Sequence, residues 1–435
     1  MIWNREYETM DREALRELQL RRLQSTVSWV YERVPYYREE LDRRGVKPRD
    51  IKSLEDVRKL PFTDKRALRD TYPFGMFAVD LDDVVRIHSS SGTTGKPIVV
   101  GYTRGDLNTW TELTARVAAE AGVTHTDRAQ MAFGYGMFTG GFGMHYGLER
   151  IGATVIPASA GNTERHLMMM QDFQTTVLVS TPSYALYMAE VGEKAGVDFS
   201  ALPLRVGLFG GEPCSGAIRE EIESRLHIRA TDNYGLSEVM GPGVSGECEA
   251  DAGLHIAEDH FLVEIVDPVT DEPVAPGEEG ELIITPLTKE AFPVLRYRTH
   301  DLTRLHTEKC SCGRTLARME KVRKRTDDML IIRGVNVFPS QVEDVLFKIE
   351  GIRPHYLIVL DRKQGLDDFE VQIEIAEEVF SDIMADMVAF TKHVSEKLHA
   401  VLGLHARVKL VEPGTVERTA GKAKRVLDRR GEDGC

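Results

Sequence analysis

Apolar positions in the first eighty residues recur at helical spacing. In "REALRELQLRRLQSTVSWVYERV", Leu15, Leu18, Leu20, Leu23, Val27 and Val30 trace one stripe, which predicts an amphipathic helix with that stripe in the core. Pro61 in "KLPFTDK" ends the pattern and leads into a Thr-Asp pair suited to capping a new helix. From Val84 to about Ala230 the texture changes, and short β-rich runs ("VVRIHSS", "ATVIPAS", "TTVLVSTP", "LRVGLFGGEP") alternate with longer helical stretches. Each run ends in Ser, Thr, Gly or Pro, as buried parallel strands do where they deliver a loop. Ligands bind at those carboxyl ends in open α/β sheets. From about 255 to 320 strand and turn dominate, predicting a small β-rich lobe. "RTDDMLIIRGVNVFPSQVEDVLFKI" then opens a last unit, with a short hairpin and a helix starting at Pro339-Ser340. Further strands follow in "HYLIVLDR", "FEVQIEIA" and "ARVKLVEPG", with an amphipathic stretch near 378–400. The expected class is α/β: a large N-terminal domain over 1–326, with parallel-type sheets and the β-rich lobe, and a small α+β domain over 327–435.

Composition narrows the function classes. The 435 residues are 42% hydrophobic and 29% charged, which excludes wholesale disorder. A net charge of -14 argues against nucleic acid as a partner. No run approaches the roughly 18 apolar residues of a membrane span, and the mixed-charge N-terminus is neither a signal nor a transit sequence. The expectation is a cytoplasmic protein with no membrane partner. Five cysteines are too few for a disulfide framework in a chain of this length. Cys248-x6-His255 and Cys310-x-Cys312 instead form two soft-ligand pairs, the stoichiometry of a tetrahedral zinc site, with reduced thiols as the alternative. Four protein ligands would leave no open position, so such a zinc would be structural.

The stretch "SSSGTTGKP" concentrates hydroxyls and glycines ahead of a lysine: Ser89, Ser90, Ser91, Gly92, Thr93, Thr94, Gly95 and Lys96. Such a loop can surround an anion with donors. It is not the phosphate loop of ordinary NTPases, because Ser90 stands where the first glycine belongs and Pro97 replaces the metal-binding hydroxyl. Alone it reads equally well as a surface turn. Its place after an expected strand favours a ligand site.

Five segments, taken together and in order over nearly the whole chain, resemble the adenylate-forming acyl-CoA synthetase superfamily. They are "SSSGTTGKP", "FGGEP" at 209–213, "DNYGLSE" at 232–238, "LRYRTHDL" with "RTDDMLIIRG" at 295–334, and "GKAKRV" at 421–426. "FGYGMFTGGFGMHYG", "PASAGNTERHL", "TPSYAL" and "GVNVFPSQVE" resemble the phenylacetate-CoA ligase family within it. The resemblance implies ATP, Mg2+ and coenzyme A as cofactors, attack of a carboxylate on the α-phosphate to give an acyl-adenylate, and displacement of AMP by a thiol. On it, residues 89–96 hold the departing pyrophosphate and Lys96 screens its charge. Glu238 takes the magnesium, with Ser237 or Thr94 nearby; a hard cation calls for such oxygen ligands. Asp232, Asn233, Tyr234 and Gly235 line the nucleotide, and Gly211, Glu212 and Pro213 wall the purine. Asp301 accepts from the ribose hydroxyls, with Arg325 beside it. Lys422 neutralises charge between carboxylate and α-phosphate, Asp327 is the hinge of a mobile C-terminal domain, and Arg333 and Gly334 lie by the coenzyme A tunnel.

Two departures from the family pattern stand out: Gly211 where alanine is commoner, and Lys324 where glycine usually precedes the hinge arginine. Aromatic rings interleaved with glycines in "FGYGMFTGGFGMHYG" suit a flat acid. Tyr135, Phe138, Gly140 and Gly141 are its expected contacts, and Gly210 and Pro242 the floor. Phenylacetate is the default substrate, with benzoate, an aminobenzoate or indole-acetate needing few changes. A homodimer is implied by the resemblance alone. Transfer to a carrier-protein thiol, and a non-catalytic acyl-CoA or nucleotide sensor, are the alternatives; the presence of Lys96, Glu238 and Lys422 speaks against the sensor.

Overall fold

A computed structural model describes residues 1–90, 97–333, 335–363, 366–376, 384–418 and 423–430. The N-terminal stripe forms the helix Arg12–Arg33, capped by the Asp11 side chain. Leu15, Leu23, Val27 and Val30 are buried as expected, but Gln19 is buried where Leu18 is not, its amide donating to the Glu258 carbonyl. After Pro61, Asp64 caps the short helix Lys65–Asp70.

Strands β1 (Arg86–Ser89) and β2 (Val99–Tyr102) pair antiparallel as a separate two-stranded sheet. The expectation of a parallel strand at "VVRIHSS" is therefore corrected. Its alternate residues Val85 and Ile87 face outward, as in a half-exposed hairpin arm rather than a sheet centre. The other three runs are parallel strands, as expected. With β3 (Arg128–Met131), β4 (Thr154–Ile156), β5 (Val177–Ser180), β6 (Val206–Gly210) and β7 (Arg229–Leu236) they run in the order β4-β3-β5-β6-β7. β8 (Gly241–Glu247) and β9 (Leu254–Ile256) extend that sheet antiparallel.

The segment after 255 does not stand wholly apart. β10 (Phe261–Val266), β11 (Gly280–Pro286) and β12 (Tyr297–Thr303) form a second sheet, while β13 (Leu305–His306) and β14 (Arg318–Met319) return to the first one beside β9. β15 (Lys324–Arg325) pairs with β12. The remaining chain builds its own core: a hairpin, β16 (Leu330–Ile332) and β17 (Val335–Val337), a helix begun by Pro339 at its first position, and β18 (Ile352–Lys363), β19 (Leu366–Ile375), β20 (Arg407–Val411) and β21 (Val426–Asp428), packed with the helix Met384–Leu402. Phe347 packs on both this core and the one around β6. Among the described residues no helix is long and apolar enough to cross a membrane.

Candidate active site

Loops leaving the carboxyl ends of β3, β6 and β7 gather on one side of the parallel sheet, where such folds place ligands. They deliver Phe133–Phe138, Gly211–Pro213 and Ser237–Glu238 respectively. The β1–β2 hairpin closes against the first of these. Ser89 N–H donates to the Met137 carbonyl (2.9 Å), and Ser90 pairs with Ile98 through both backbone and hydroxyl. Ser91, Gly92, Thr93, Thr94, Gly95 and Lys96 lie outside the described residues.

Asp301, on β12, is buried and accepts from Arg325 Nη1 (2.6 Å) and from the Tyr234 hydroxyl (2.5 Å). Burial raises its carboxyl above the usual range, and the Arg325 cation opposes that shift. A carboxylate offers about four lone-pair sites, so room for two further hydroxyl donors remains. Glu238 is buried, and the Tyr297 phenol near it is held neutral chiefly by burial and by that acid's charge. Ser237 Oγ lies 3.0 Å from Thr139 Oγ1. Asn233 donates to the Phe209 carbonyl, fixing the strand end. Gly210 sits against Asn233, where a Cβ would meet its backbone oxygen at 2.8 Å, and Gly211 has φ +82°. Glu212 turns away from a pure wall role: its carboxylate accepts from Ser183 N–H (2.6 Å) and Ala423 N–H (2.8 Å). Asp232 N–H donates to Glu247 (2.9 Å).

On the acyl side, the Tyr135 hydroxyl is 2.8 Å from His145 Nδ1, and its ring packs edge-on against Phe142. Phe138, the residue before the helix Thr139–Ile151, is 55% exposed, so it sits at the rim. Gly140 lies over Phe133, Gly141 against the Gly134 carbonyl, and Pro242 beside Gly143. Sequence reasoning missed His88 and Lys289. His88 is buried among Tyr102, Trp110 and Phe142, with Nδ1 3.1 Å from the Met137 carbonyl and no partner for Nε2 among the described residues. Lys289 is fully buried over the Tyr102 ring, 3.2 Å from its centroid. His88 stood in view inside "VVRIHSS", masked by its apolar neighbours; Lys289 carried no motif.

Asp327 is tied by Arg325 (2.9 and 3.1 Å) and faces Lys65 at 3.4 Å. Arg333, at φ +50°, donates from N and Nε to Asp367. Gly334 and Lys422 lie outside the described residues.

The four soft ligands do come together. Cys248 follows β8, His255 lies in β9, and Cys310 and Cys312 lie between β13 and β14; their ligand atoms are all within 4.8 Å of one another. Cys248 and Cys310 sulfurs are 3.8 Å apart, and Cys312 Sγ is 3.4 Å from His255 Nε2. Zinc–sulfur bonds of about 2.3 Å in a tetrahedron require sulfurs about 3.8 Å apart, so the donor set fits. Burial, helped by Arg314 and Arg318, pushes His255 down to about 3, leaving the neutral imidazole a ligand needs. Arg314, paired with Glu8 and Glu120, also approaches Cys312 Sγ at 3.6 Å.

The chain belongs to the family of AMP-binding enzymes: the family model described as "AMP-binding enzyme" matches residues 8–286, and "AMP-binding enzyme C-terminal domain" matches 334–430. Within that class its full-length likeness is to phenylacetate-coenzyme A ligases. The one from Thermus thermophilus is 49% identical, covering 99% of this chain and all of the relative, and the one from Escherichia coli is 49% identical over 97% of each. Among solved structures, 2-hydroxyisobutyryl-CoA ligase in its postadenylation state, complexed with 2-HIB-AMP, is 28% identical and matches with a TM-score of 0.93 over 99% of this chain and 93% of that one. In its thioesterification state, with coenzyme A, the TM-score is 0.73 over 99% and 92%.

Proposed function

We infer that the protein is an ATP-dependent ligase that converts phenylacetate to its coenzyme A thioester, releasing AMP and pyrophosphate. The observation that carries this reading is Asp301, buried within β12 and bracketed by Arg325 and Tyr234, together with a second buried carboxylate, Glu238, on the loop after β7. Two acids kept there suit a polyhydroxyl and a hard cation better than an apolar core. Phenylacetate oxygen attacks the α-phosphorus of ATP, the bond to pyrophosphate breaks, and the thiolate of coenzyme A then attacks the acyl carbon and expels AMP. Fixed donors and cations placed where charge develops account for most of the catalysis in such transfers.

Asp301 would hold the ribose, with Asp232, Asn233, Tyr234, Gly235 and the turn Gly211–Pro213 around the base. Residues 89–96 would grip the departing phosphates. Glu238 would hold Mg2+, which would supply positive charge against the phosphates. Lys422 would neutralise charge at the α-phosphate. Tyr135, Gly140, Gly141, Gly210 and Pro242 would line the aryl pocket, with Phe138 at its mouth. The division into 1–326 and 327–435, the hinge at Asp327, the thioester-step role of Arg333 and Gly334, a cytoplasmic location and a homodimer belong to the same reading. So does structural zinc on Cys248, His255, Cys310 and Cys312, supported by the fit of the donor set.

The test is pyrophosphate release from ATP with a panel of aryl and aliphatic acids, with and without coenzyme A. Release with phenylacetate, and AMP with thioester when coenzyme A is added, are expected. Pyrophosphate release that coenzyme A leaves unchanged, with no thioester, would move the reading to a carrier-protein acceptor.

A further inference from the structure

Among the described polar contacts between the large unit and the C-terminal one, two meet on Glu190, in the helix Pro182–Lys194. Its carboxylate, 9% exposed, lies 2.9 Å from His355 Nε2 and 3.4 Å from an Arg418 guanidinium nitrogen. Arg418 also pairs with the fully buried Glu374 at 2.8 Å. Glu212 spans the same seam, linking the start of the Glu190 helix at Ser183 to Ala423. Arg418 and Ala423 flank residues 419–422 in sequence. Arg418 and Ala423 are thus each tied to the large unit, through Glu190 and through Glu212.

A buried ionic network adds little net stability over apolar packing. Removing one partner, however, strands a charge and costs several kcal/mol, so the network discriminates between arrangements. His355 and Arg418 hold the Glu190 carboxyl down at about 2 although burial alone would raise it, so the anion is present throughout the neutral range. The whole chain superposes better on the postadenylation state of 2-hydroxyisobutyryl-CoA ligase (TM-score 0.93) than on that enzyme's thioesterification state (0.73).

We propose that Glu190 is a positioning residue for adenylate formation: its contacts with His355 and Arg418 hold the C-terminal unit, and with it the stretch bearing Lys422, in the orientation of the first half-reaction, and they part for the second. This rests on the reading that Lys422 serves adenylation.

The test measures two half-reactions on the full chain. One is phenylacetate-dependent exchange of pyrophosphate into ATP; the other is thioester formation from supplied phenylacetyl-adenylate and coenzyme A. Glu190→Gln is expected to lower the exchange kcat roughly tenfold, the effect of about 1.4 kcal/mol. The KM values for ATP and phenylacetate should hardly move, and the thioester step should be unchanged or faster. Arg418→Lys, which keeps the charge, should retain most of the exchange. Equal loss in both half-reactions, or no loss in exchange, overturns the proposal. If Glu190→Gln does not fold, Arg418→Gln carries the same expectations and the same overturning results. Lys422→Ala separates the two readings. Normal exchange in Lys422→Ala removes the role given to that lysine, whereas lost exchange there with normal exchange in Glu190→Gln removes only the role given to Glu190.

Discussion

Gly141 and Gly235 set how closely the backbone closes around the site. A Cβ on Gly235 would lie 2.0 Å from the Gly241 carbonyl oxygen, so Gly235→Ala has to break the β7–β8 pairing. A loss of several kcal/mol in denaturant unfolding is expected, at the large end of single-residue effects. At Gly141 the clash, 2.8 Å from the Gly134 carbonyl oxygen, falls on the aryl loop. Gly141→Ala should raise the KM for phenylacetate while leaving that for ATP nearly constant, as steady-state kinetics will read. Lys289 gives a pH test. Burial holds its ammonium down to about 8, against the attraction of Asp106 and Glu290. The unfolded chain keeps that proton to about 10.4, so the native state is penalised below pH 8 and recovers as pH rises through that window. Stability of the protein relative to Lys289→Met should therefore increase between pH 8 and 10, by about 1.4 kcal/mol per unit at most; a flat difference contradicts it. Asp106 stays satisfied in that variant, because Thr103, Glu290 and Ala291 all donate backbone N–H groups to it. Of the candidate site, motif chemistry singles out charged and glycine positions, among them Asp301, Glu238 and Gly211, that the structure describes. It does not single out His88, Lys289 and Glu190, because their meaning comes from partners distant in sequence: Phe142, Tyr102 and Arg418.

At the scale of elements, three of the four short β-rich runs are parallel strands. The fourth, β1, turned out to be a hairpin arm, since a short apolar run reports burial rather than the direction of its partner. The meander β8–β9–β14–β13 shows the same limit: its β13–β14 pair joins the main sheet at β9 through Arg318 with His255 and Met319 with Leu254, residues so far apart that no local pattern encodes the pairing. The Cys/His cluster sits where that meander turns, and Arg314 ties it to the N-terminal segment through Glu8 and the Met1 carbonyl. Removing zinc from such a site should loosen the whole edge. Metal analysis of protein purified without chelator should find about one zinc per chain, and chelation should lower the thermal midpoint by several degrees. Cys312→Ala should mimic chelation and abolish any further response to chelator. An unchanged midpoint together with no bound zinc would leave the thiols as reduced core residues.

For the whole molecule, the change of texture near Thr326 is the expected boundary between a large α/β unit and a smaller α+β one, and described residues on either side gather in separate apolar clusters. Their mutual orientation was not legible, since the described contacts between them, among them Glu190 with His355 and Arg418, and Glu212 with Ala423, join residues far apart in sequence. The most direct check of the account is the product balance when the enzyme turns over phenylacetate, ATP and coenzyme A, followed by mass spectrometry and phosphate assay. Equal amounts of phenylacetyl-CoA, AMP and pyrophosphate are predicted. Formation of ADP and orthophosphate instead, or no thioester from phenylacetate under conditions where ATP is consumed, would contradict it.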